Sequence, residues 1–324
     1  MIIYIRKLNG IFFLQILFTL LQLSPTLRAE CTDTFKEDVK SKISICAIFQ
    51  DEAPYMEEWL EFHLLMGIGH FYLFNHDSSD CFLEVLTPYI NAGVVTLTNW
   101  PSSNNRKNWV HDQIRAYNQC IKNTLGTCEW LAIIDLDEFI VPVKHLNLID
   151  FLNEFDYYPQ IAAIEINWQL YGSSGYKTLP KNALLIETLT WKAPTQYNTP
   201  FLSNTKVKSI VRPEAVVRYY IHGGKYKSEY EIYSPRLLPS KLSPIEIDRI
   251  RINHYWTRNE DYFFYTKVKR RIRAGIEMND YQKILEDLCQ VEDKIMHRFT
   301  NELKKKINAS RSQFQVEGES NSTW

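Results

Sequence analysis

Asp135, Asp137 and Glu138 crowd into one short stretch of the run EWLAIIDLDEFIVP, residues 129–142. Carboxylates this close repel one another, and the apolar WLAII before them supplies no compensating charge. Two kinds of chemistry accommodate such a cluster. The residues can close or cap a turn, or they can face a positive ligand. Residues two apart in an extended segment share a side, so Asp135 and Asp137 can meet one ligand together, with Glu138 pointing away as a supporting partner. Two carboxylates plus diphosphate oxygens and water suit a hard divalent ion, Mn2+ or Mg2+. Such an ion would neutralise the diphosphate leaving group of a nucleotide-sugar.

The elements around this cluster give it a place. KISICAIF reads as a buried strand and PYMEEWLEFHLLMG as a helix, with Pro54 in its first turn and Gly67 at its stop. HFYLFN, VVTLTNW and WLAIID are further strands, separated by the helical SSDCFLEVLTPYINAG and NWVHDQIRAYNQCIKNTL. Strand and helix therefore alternate from Lys42 to Asp135, which predicts an α/β fold with a parallel, Rossmann-like half covered on both faces. Ligands bind such sheets at the carboxyl ends of the strands, where Asp135 and Asp137 fall. The first two strands end in similarly polar runs, Gln50–Glu52 and Asn75–Asp80. Asp51, Asn75, Asp77 and Asp80 are thus candidates to hold a nucleotide's base and ribose; Ser79 and Asp80 serve equally well as caps for the following helix. Neither a Gly-x-Gly-x-x-Gly nor a Walker sequence occurs, which argues against dinucleotide oxidoreductases and P-loop enzymes.

The second half reads as a mixed set of strands: IAAIEINWQLYG, VKSIVR, EAVVRYYIH and RINHYW. A Lys- and Arg-rich helix follows from Glu260 to about Ile276. A last helix from about Asp280 to Ile307 would place Ile284, Leu288, Val291, Ile295 and Phe299 on one stripe, and the polar end from Asn308 is expected to be disordered. A formal net charge of −1 over 324 residues gives no bulk attraction for nucleic acid. At the N-terminus, Arg6 and Lys7 precede the apolar IFFLQILFTLLQL and a small residue, Ala29. That is the layout of a signal peptide or of a short membrane anchor at 1–29, followed by a charged linker at 30–41. Either form exports the remainder. Six cysteines in an exported chain favour disulfides, Cys120 with Cys128 being the nearest local pair, although Cys46 reads equally as a buried thiol. Asn308 and Asn321 are glycosylation acceptors.

The order of DEAPYMEEWLEFHLLMGIGHFYLFNHDSSD, LTPYINAGVVTLTNW and WLAIIDLDEFIVP resembles glycosyltransferase family 92. INWQLYGSSGY, KVKSIVRP and the HY of INHYW, before a helix containing Lys267, continue the pattern. The resemblance runs from about Lys42 to Gly275 and implies a GT-A fold over 42–276, with a mixed, acceptor-binding second half. It also implies a metal-dependent, inverting transferase that uses a nucleotide-sugar, UDP-galactose, and a glycan acceptor. Asp135 and Asp137 match the metal-binding Asp-x-Asp, and His254 matches a His that completes the metal site. His222 is an alternative, and either His also suits a buried, hydrogen-bonded role. Inversion requires a base for the acceptor hydroxyl; Glu187 and Glu165 are the candidates, Glu187 preferred. Lys206, Lys208 and Arg212 share a strand face and could meet the diphosphate. Trp168, Tyr171 and the loop Gly172, Ser173, Ser174 and Gly175 could hold donor or acceptor sugar, with Trp168 equally a core residue. The matching setting is the Golgi lumen as a type II membrane protein, or secretion; in a bacterium it would be membrane-bound or exported. The competing readings are a non-catalytic exported carbohydrate-binding protein and a metal-dependent phosphodiester hydrolase.

Overall fold

A nine-stranded sheet forms the centre of the molecule, in the order β3 (Val95–Asn99), β2 (His70–Asn75), β1 (Ser41–Phe49), β4 (Cys128–Ile133), β8 (Val207–Val211), β6 (Ile161–Leu170), β12 (Ile250–His254) and β5 (Glu138–Pro142), with β11 (Glu231–Tyr233) added on β6. The computed structural model describes residues 40–103, 109–199, 202–234, 245–273, 275 and 280–320. The signal or anchor segment, Asn321 and nearly all of the expected linker lie outside them. Strand β1 (Ser41–Phe49) pairs in parallel with β2 (His70–Asn75) and β4 (Cys128–Ile133), and β2 with β3 (Val95–Asn99). The period-2 alternation of β1 explains why both faces are covered. Ile43, Ile45 and Ala47 pack with Trp59, Leu60 and Phe62 of the helix Ala53–Leu65. Cys46 and Ile48 face the other way, onto Ala116, Tyr117 and Cys120 of the helix Trp109–Asn123. Gly67 stops the first of these helices at φ 94°, and a Cβ there would lie 2.6 Å from Ile149 Cγ1. Both the backbone and the space require glycine.

The expected parallel and mixed halves are one continuous sheet rather than two parts. Strand β8 (Val207–Val211) runs antiparallel between β4 and β6 (Ile161–Leu170), and so splices the mixed strands directly onto the parallel ones. Strand β12 (Ile250–His254) is parallel to β6 and antiparallel to β5 (Glu138–Pro142). These directions bring the carboxyl ends of β1, β2, β3, β4, β6 and β12 to one pole, together with the first residues of β5 and β8.

The C-terminal region departs from the single helix expected over 280–307. A helix spans Tyr281–Asp287; Val291–Glu292 then pairs as a strand with Trp191–Lys192, and a second helix covers His297–Ser320. The expected stripe is broken up: Ile284 lies in the first helix and Phe299 in the second, Leu288 follows the first helix and packs near Leu170 and Leu285, Ile295 sits in a turn, and Val291 is an exposed strand residue. The region from Asn308 to Ser320 is helical instead of disordered, because Ser310 Oγ donates to Glu61 (2.6 Å) and Arg311 pairs with Glu57 on the helix Ala53–Leu65. The Glu260–Ile276 segment divides as well. Glu260–Tyr262 is α-helical, Phe263–Val268 is a π-helical turn, and Lys269–Arg273 returns to α. Cys46, Cys81, Cys120, Cys128 and Cys289 are free thiols, so the Cys120–Cys128 bridge is not formed. Cys120 and Cys128 are fully buried in the second apolar cluster. No helix among the described residues is long and apolar enough to cross a membrane.

Candidate active site

Strand β4 ends at Ile133, and β5 begins at Glu138; between them the chain makes a tight turn closed by Glu138 N–H donating to Asp135 O (3.1 Å). The segment is therefore not extended, and the two aspartates diverge. Asp135 Oδ1 accepts from Gln113 Nε2 and Tyr117 OH (both 2.9 Å), while its Oδ2 pairs with Lys208 Nζ at 2.9 Å. Asp137 has a separate set of partners. Its Oδ2 lies 2.5 Å from Lys267 Nζ and its Oδ1 3.4 Å from His254 Nε2. Glu138 does not point away: its Oε2 accepts from Asp135 N–H (2.9 Å) and lies 4.0 Å from Lys208 Nζ. The repulsion evident in the sequence is thus answered by two lysines that arrive from distant strands and turns.

Burial alone would raise the Asp135 carboxyl, but the Lys208 ammonium outweighs it and leaves the group below its usual value. Asp137 is likewise buried, and Lys267, then His254, hold it well below the carboxylate range. Glu138 goes the other way. Burial, reinforced by Asp135 and Asp137, pushes it well above the ordinary value despite Lys208. Lys208 is itself fully buried; its pKa is raised because Asp135 and Glu138 outweigh the burial.

His254 ends β12, and the ring of Trp168 lies against it (centroids 4.4 Å apart). Trp168 also meets His222 edge-on at 5.1 Å. At 8% exposure Trp168 is a wedge between two imidazoles, a core role in place of a sugar platform. His222 is bonded through Nδ1 to Val207 O (3.0 Å), and burial, then Lys208, lowers its pKa to about 4. His254, not His222, is the imidazole that reaches Asp137.

Among the described residues no three His, Cys, Asp or Glu side chains gather as a group able to hold a metal. The expected trio of Asp135, Asp137 and His254 therefore reduces to a pair, because both oxygens of Asp135 are taken by Gln113, Tyr117 and Lys208. Asp137 Oδ1 and His254 Nε2 do fit a divalent ion. Adjacent donors on an octahedral ion with bonds of ~2.1 Å stand roughly 3 Å apart, near the 3.4 Å found. An O/N donor pair suits Mn2+, with substrate oxygens and water filling the remainder.

The other strand ends meet at this pole, knitted to one another. Asp51 (φ 56°) accepts from Ser79 N–H (2.7 Å), Asn75 Oδ1 from Ser78 N–H (3.0 Å), and Asp77 (φ 52°) from Ser102 N–H (2.9 Å). Both aspartates hold left-handed backbone, which Asp tolerates better than most residues. Asp80 is a correction: its Oδ2 accepts from Ala53 N–H (2.7 Å), so it caps the helix after β1 rather than a ligand or its own following helix.

Several expected residues stand elsewhere. Lys206 is exposed at the pole just before β8, and Lys208 is beneath it. Arg212 shares their face but sits at the far end of the strand, paired with Glu129 (2.9 Å) over the ring of Trp130 (4.0 Å), out of reach of a diphosphate. Glu187 is held by Lys304 (2.6 Å) of the C-terminal helix. Glu165 is buried mid-strand against Ser234, five residues before the end of β6, roughly 17 Å at strand rise. Neither is placed to act as base at the pole. Tyr171 is fully buried, its hydroxyl accepting from Arg251 (2.8 Å). Gly172 is wedged on Leu288 and Cys289, Ser173 is buried, and Ser174 Oγ accepts from Trp191 N–H (3.0 Å). Of the Gly172–Gly175 loop, only Ser174 and Gly175 reach the surface.

Arg258 was not legible as a site residue. It is fully buried at φ 49°, with Nη1 2.5 Å from Glu52 and the guanidinium 3.7 Å and 4.5 Å from the ring centroids of Tyr55 and Tyr262. Its Nη2 donates to Leu136 O (3.4 Å), which ties the β1 end to the Asp135–Glu138 turn. Gln113 and Tyr117 were also missed; their spacing of four along one helix face was the available signal.

The sequence model of Glycosyltransferase family 92 matches residues 41–307. A glycosyltransferase family 92 protein of Oryza sativa subsp. japonica is 26% identical over 173 residues, covering 53% of this chain and 27% of that protein. A family 92 protein of Ricinus communis is 25% identical over 177 residues, covering 54% and 29%. A galactan beta-1,4-galactosyltransferase of Arabidopsis thaliana is 32% identical over 95 residues, covering 28% and 18%. The matched stretches thus span less than a third of these relatives' own length. Among solved structures, S. aureus TarS 1–349 superposes with a TM-score of 0.34 at 15% identity, covering 54% of this chain and 48% of that one.

Proposed function

Because this chain belongs to glycosyltransferase family 92, we propose that its polar sheet end transfers a hexose, galactose from UDP-galactose, to a glycan acceptor with inversion. The observation that carries this reading is the pairing at one pole of Asp137 with both His254 and Lys267. It supplies a carboxylate and an imidazole for a divalent ion, with an ammonium beside them. The galactose assignment draws on the likeness to the galactan galactosyltransferase, and the apolar N-terminal segment agrees with work in the secretory lumen.

The chain's own groups have separable tasks. Asp51, Asn75 and Asp77 line the ends of β1 and β2, where a nucleoside binds in sheets of this kind. Lys267 and exposed Lys206 offer positive charge to a diphosphate, which concentrates negative charge as it leaves. Lys208 and Glu138 fix the Asp135 turn from below. Asp137 and His254 would hold the ion, which when bound lends Lewis-acid neutralisation of the leaving diphosphate.

The test incubates the purified protein with UDP- and GDP-sugars, Mn2+ and glycan acceptors, and measures nucleotide release. UDP release from UDP-galactose is expected, and it is lost in Asp137→Asn assayed at a temperature where that variant is still folded. No release and no Mn2+-dependent donor binding would overturn the transferase reading, whereas a grossly unfolded Asp137→Asn would assign Asp137 a structural role only.

A further inference from the structure

We propose that His222 is the base that takes the acceptor's proton in the transfer, a role that rests on the transferase reading above. Glu187 and Glu165 stand away from the pole, and Asp135, Asp137 and Glu138 are each drawn to a lysine. His222 is differently placed. Its Nδ1 lies 3.0 Å from Val207 O, and a carbonyl oxygen only accepts, so the hydrogen sits on Nδ1. Nε2 therefore keeps its lone pair. Among the described residues it has no hydrogen-bond partner and is not enclosed, on a side chain that is half-buried.

The backbone brings this imidazole to the pole. His222 stands in the tip of a hairpin formed by Val216–Tyr219 and Gly224–Tyr226. Tyr220 N–H donates to Gly223 O (2.8 Å) and closes the tip. Asn118 grips the strand end below it: its side chain accepts from Tyr219 N–H (2.9 Å) and donates to Tyr219 O (2.8 Å). The neighbouring Tyr117 donates to Asp135. One helix thus holds the hairpin in register with the turn that carries Asp137. Val207, which bonds the ring, is the first residue of β8 at that same pole.

Trp168 separates this base from the proposed ion site, its ring 5.1 Å from His222 and 4.4 Å from His254. The two imidazoles stand no farther apart than those distances laid end to end. Such a span accommodates a base-to-hydroxyl contact of ~3 Å and a reacting separation of ~3–3.5 Å. In the step, the acceptor oxygen bonds to the anomeric carbon as its proton passes to Nε2. The bond from that carbon to the diphosphate breaks, and UDP leaves with the electron pair. The imidazolium then yields its proton to water. Lys208, Asp135 and Lys206 are the charged groups that face His222. With its pKa lowered to about 4 by burial and then Lys208, the ring is as basic as an ordinary carboxylate and is unprotonated at neutral pH.

The experiment measures transfer from UDP-galactose, with Mn2+, to a panel of glycan acceptors in wild type, His222→Asn and His222→Ala. Asparagine can keep a donor to Val207 O while removing the base. Thermal unfolding checks the fold, and calorimetry of UDP with Mn2+ checks the donor site. Both variants are expected to lose kcat by ~100-fold or more, with UDP affinity within about threefold of wild type. Added imidazole should restore part of the His222→Ala turnover. A variant that keeps kcat within about threefold overturns the base. So does a loss that imidazole leaves untouched, or one that a loss of UDP affinity matches. Wild type that binds UDP with Mn2+ but transfers to no glycan also overturns it, and leaves the donor site standing. Wild type that binds no UDP refutes the donor reading, and the base with it.

Discussion

Lys267 Nζ lies 2.5 Å from Asp137 Oδ2, across 130 residues of chain. Both side chains are largely buried, so the pair is screened little by solvent. Lys267→Met removes the positive charge nearest the proposed diphosphate, and it is expected to cut turnover about 100-fold. Steady-state UDP release with varied donor checks this; unchanged kcat would show that Lys267 only braces the fold.

Lys208 and Asp135 form the second pair; Lys208 is fully buried and Asp135 partly open, so stability is the readout and the loss is larger when Asp135 is removed and Lys208 is left without it. Removing one partner of a buried pair leaves a charge without compensation, which costs about 3–5 kcal/mol. Lys208→Met and Asp135→Asn should each destabilise strongly, and the double variant should lose less than their sum by about 1–3 kcal/mol. Urea titration of all four proteins measures the coupling, and strict additivity would deny it.

Arg258 clasps Glu52 while stacking on Tyr55 and Tyr262. Lysine keeps the charge but has no planar face and no fork, so Arg258→Lys is expected to cost about 2 kcal/mol. Differential scanning calorimetry would show a lower Tm; an unchanged Tm would mean that charge alone matters there.

His63 predicts acid sensitivity. It is fully buried, its Nδ1 bonded to Trp59 O (2.8 Å) and its Nε2 to Ile140 N–H (3.3 Å), an arrangement only the neutral ring can satisfy. Burial lowers its pKa to about 3. A group whose folded pKa is depressed contributes stability that is present above the unfolded value of ~6.5 and lost as pH falls toward the folded value. Stability should therefore decline below pH ~6.5 with a slope of up to about 1.4 kcal/mol per pH unit from this residue. Chemical unfolding between pH 7.5 and 5 checks the slope, which should flatten in His63→Phe even though that variant starts from a lower stability.

The alternation of strands and helices from Lys42 to Asp135 was legible because the central strands β1 and β4 are buried on both faces and turn residues separate strands from helices. Strand polarity was harder to read. Lys206, Lys208 and Arg212 share a face as their spacing implied, yet distance along the strand puts Arg212 at the opposite end, beside Glu129. The turn at Asp135–Glu138 was misread as extended, since only the Glu138 N–H to Asp135 O bond reveals that it closes. The partners Lys267, His254 and Arg258 are set by sheet order, which pairs β12 with β5 and so brings its end and the following residues to the Asp135–Glu138 turn. Spacing along the chain holds no trace of that order. The C-terminal stripe misled for a related reason: period alone does not show that a short strand pair with Trp191–Lys192 divides two helices.

The π-helical turn at Phe263–Val268 has a consequence for insertions and deletions. A π turn carries an extra residue relative to α-helix, and each helical residue advances the direction of its side chain by roughly 100°. Phe263 is anchored in the core at the start of the turn, and Arg270 reaches Gln50 O (3.5 Å) after it. Deleting Thr266 alone would regularise the helix and swing Lys267 away from Asp137 without altering any side chain that touches the carboxylates. The aim of that lysine is thus encoded in chain length as much as in residue identity, so a one-codon deletion far along the chain from the aspartates would act as an active-site mutation.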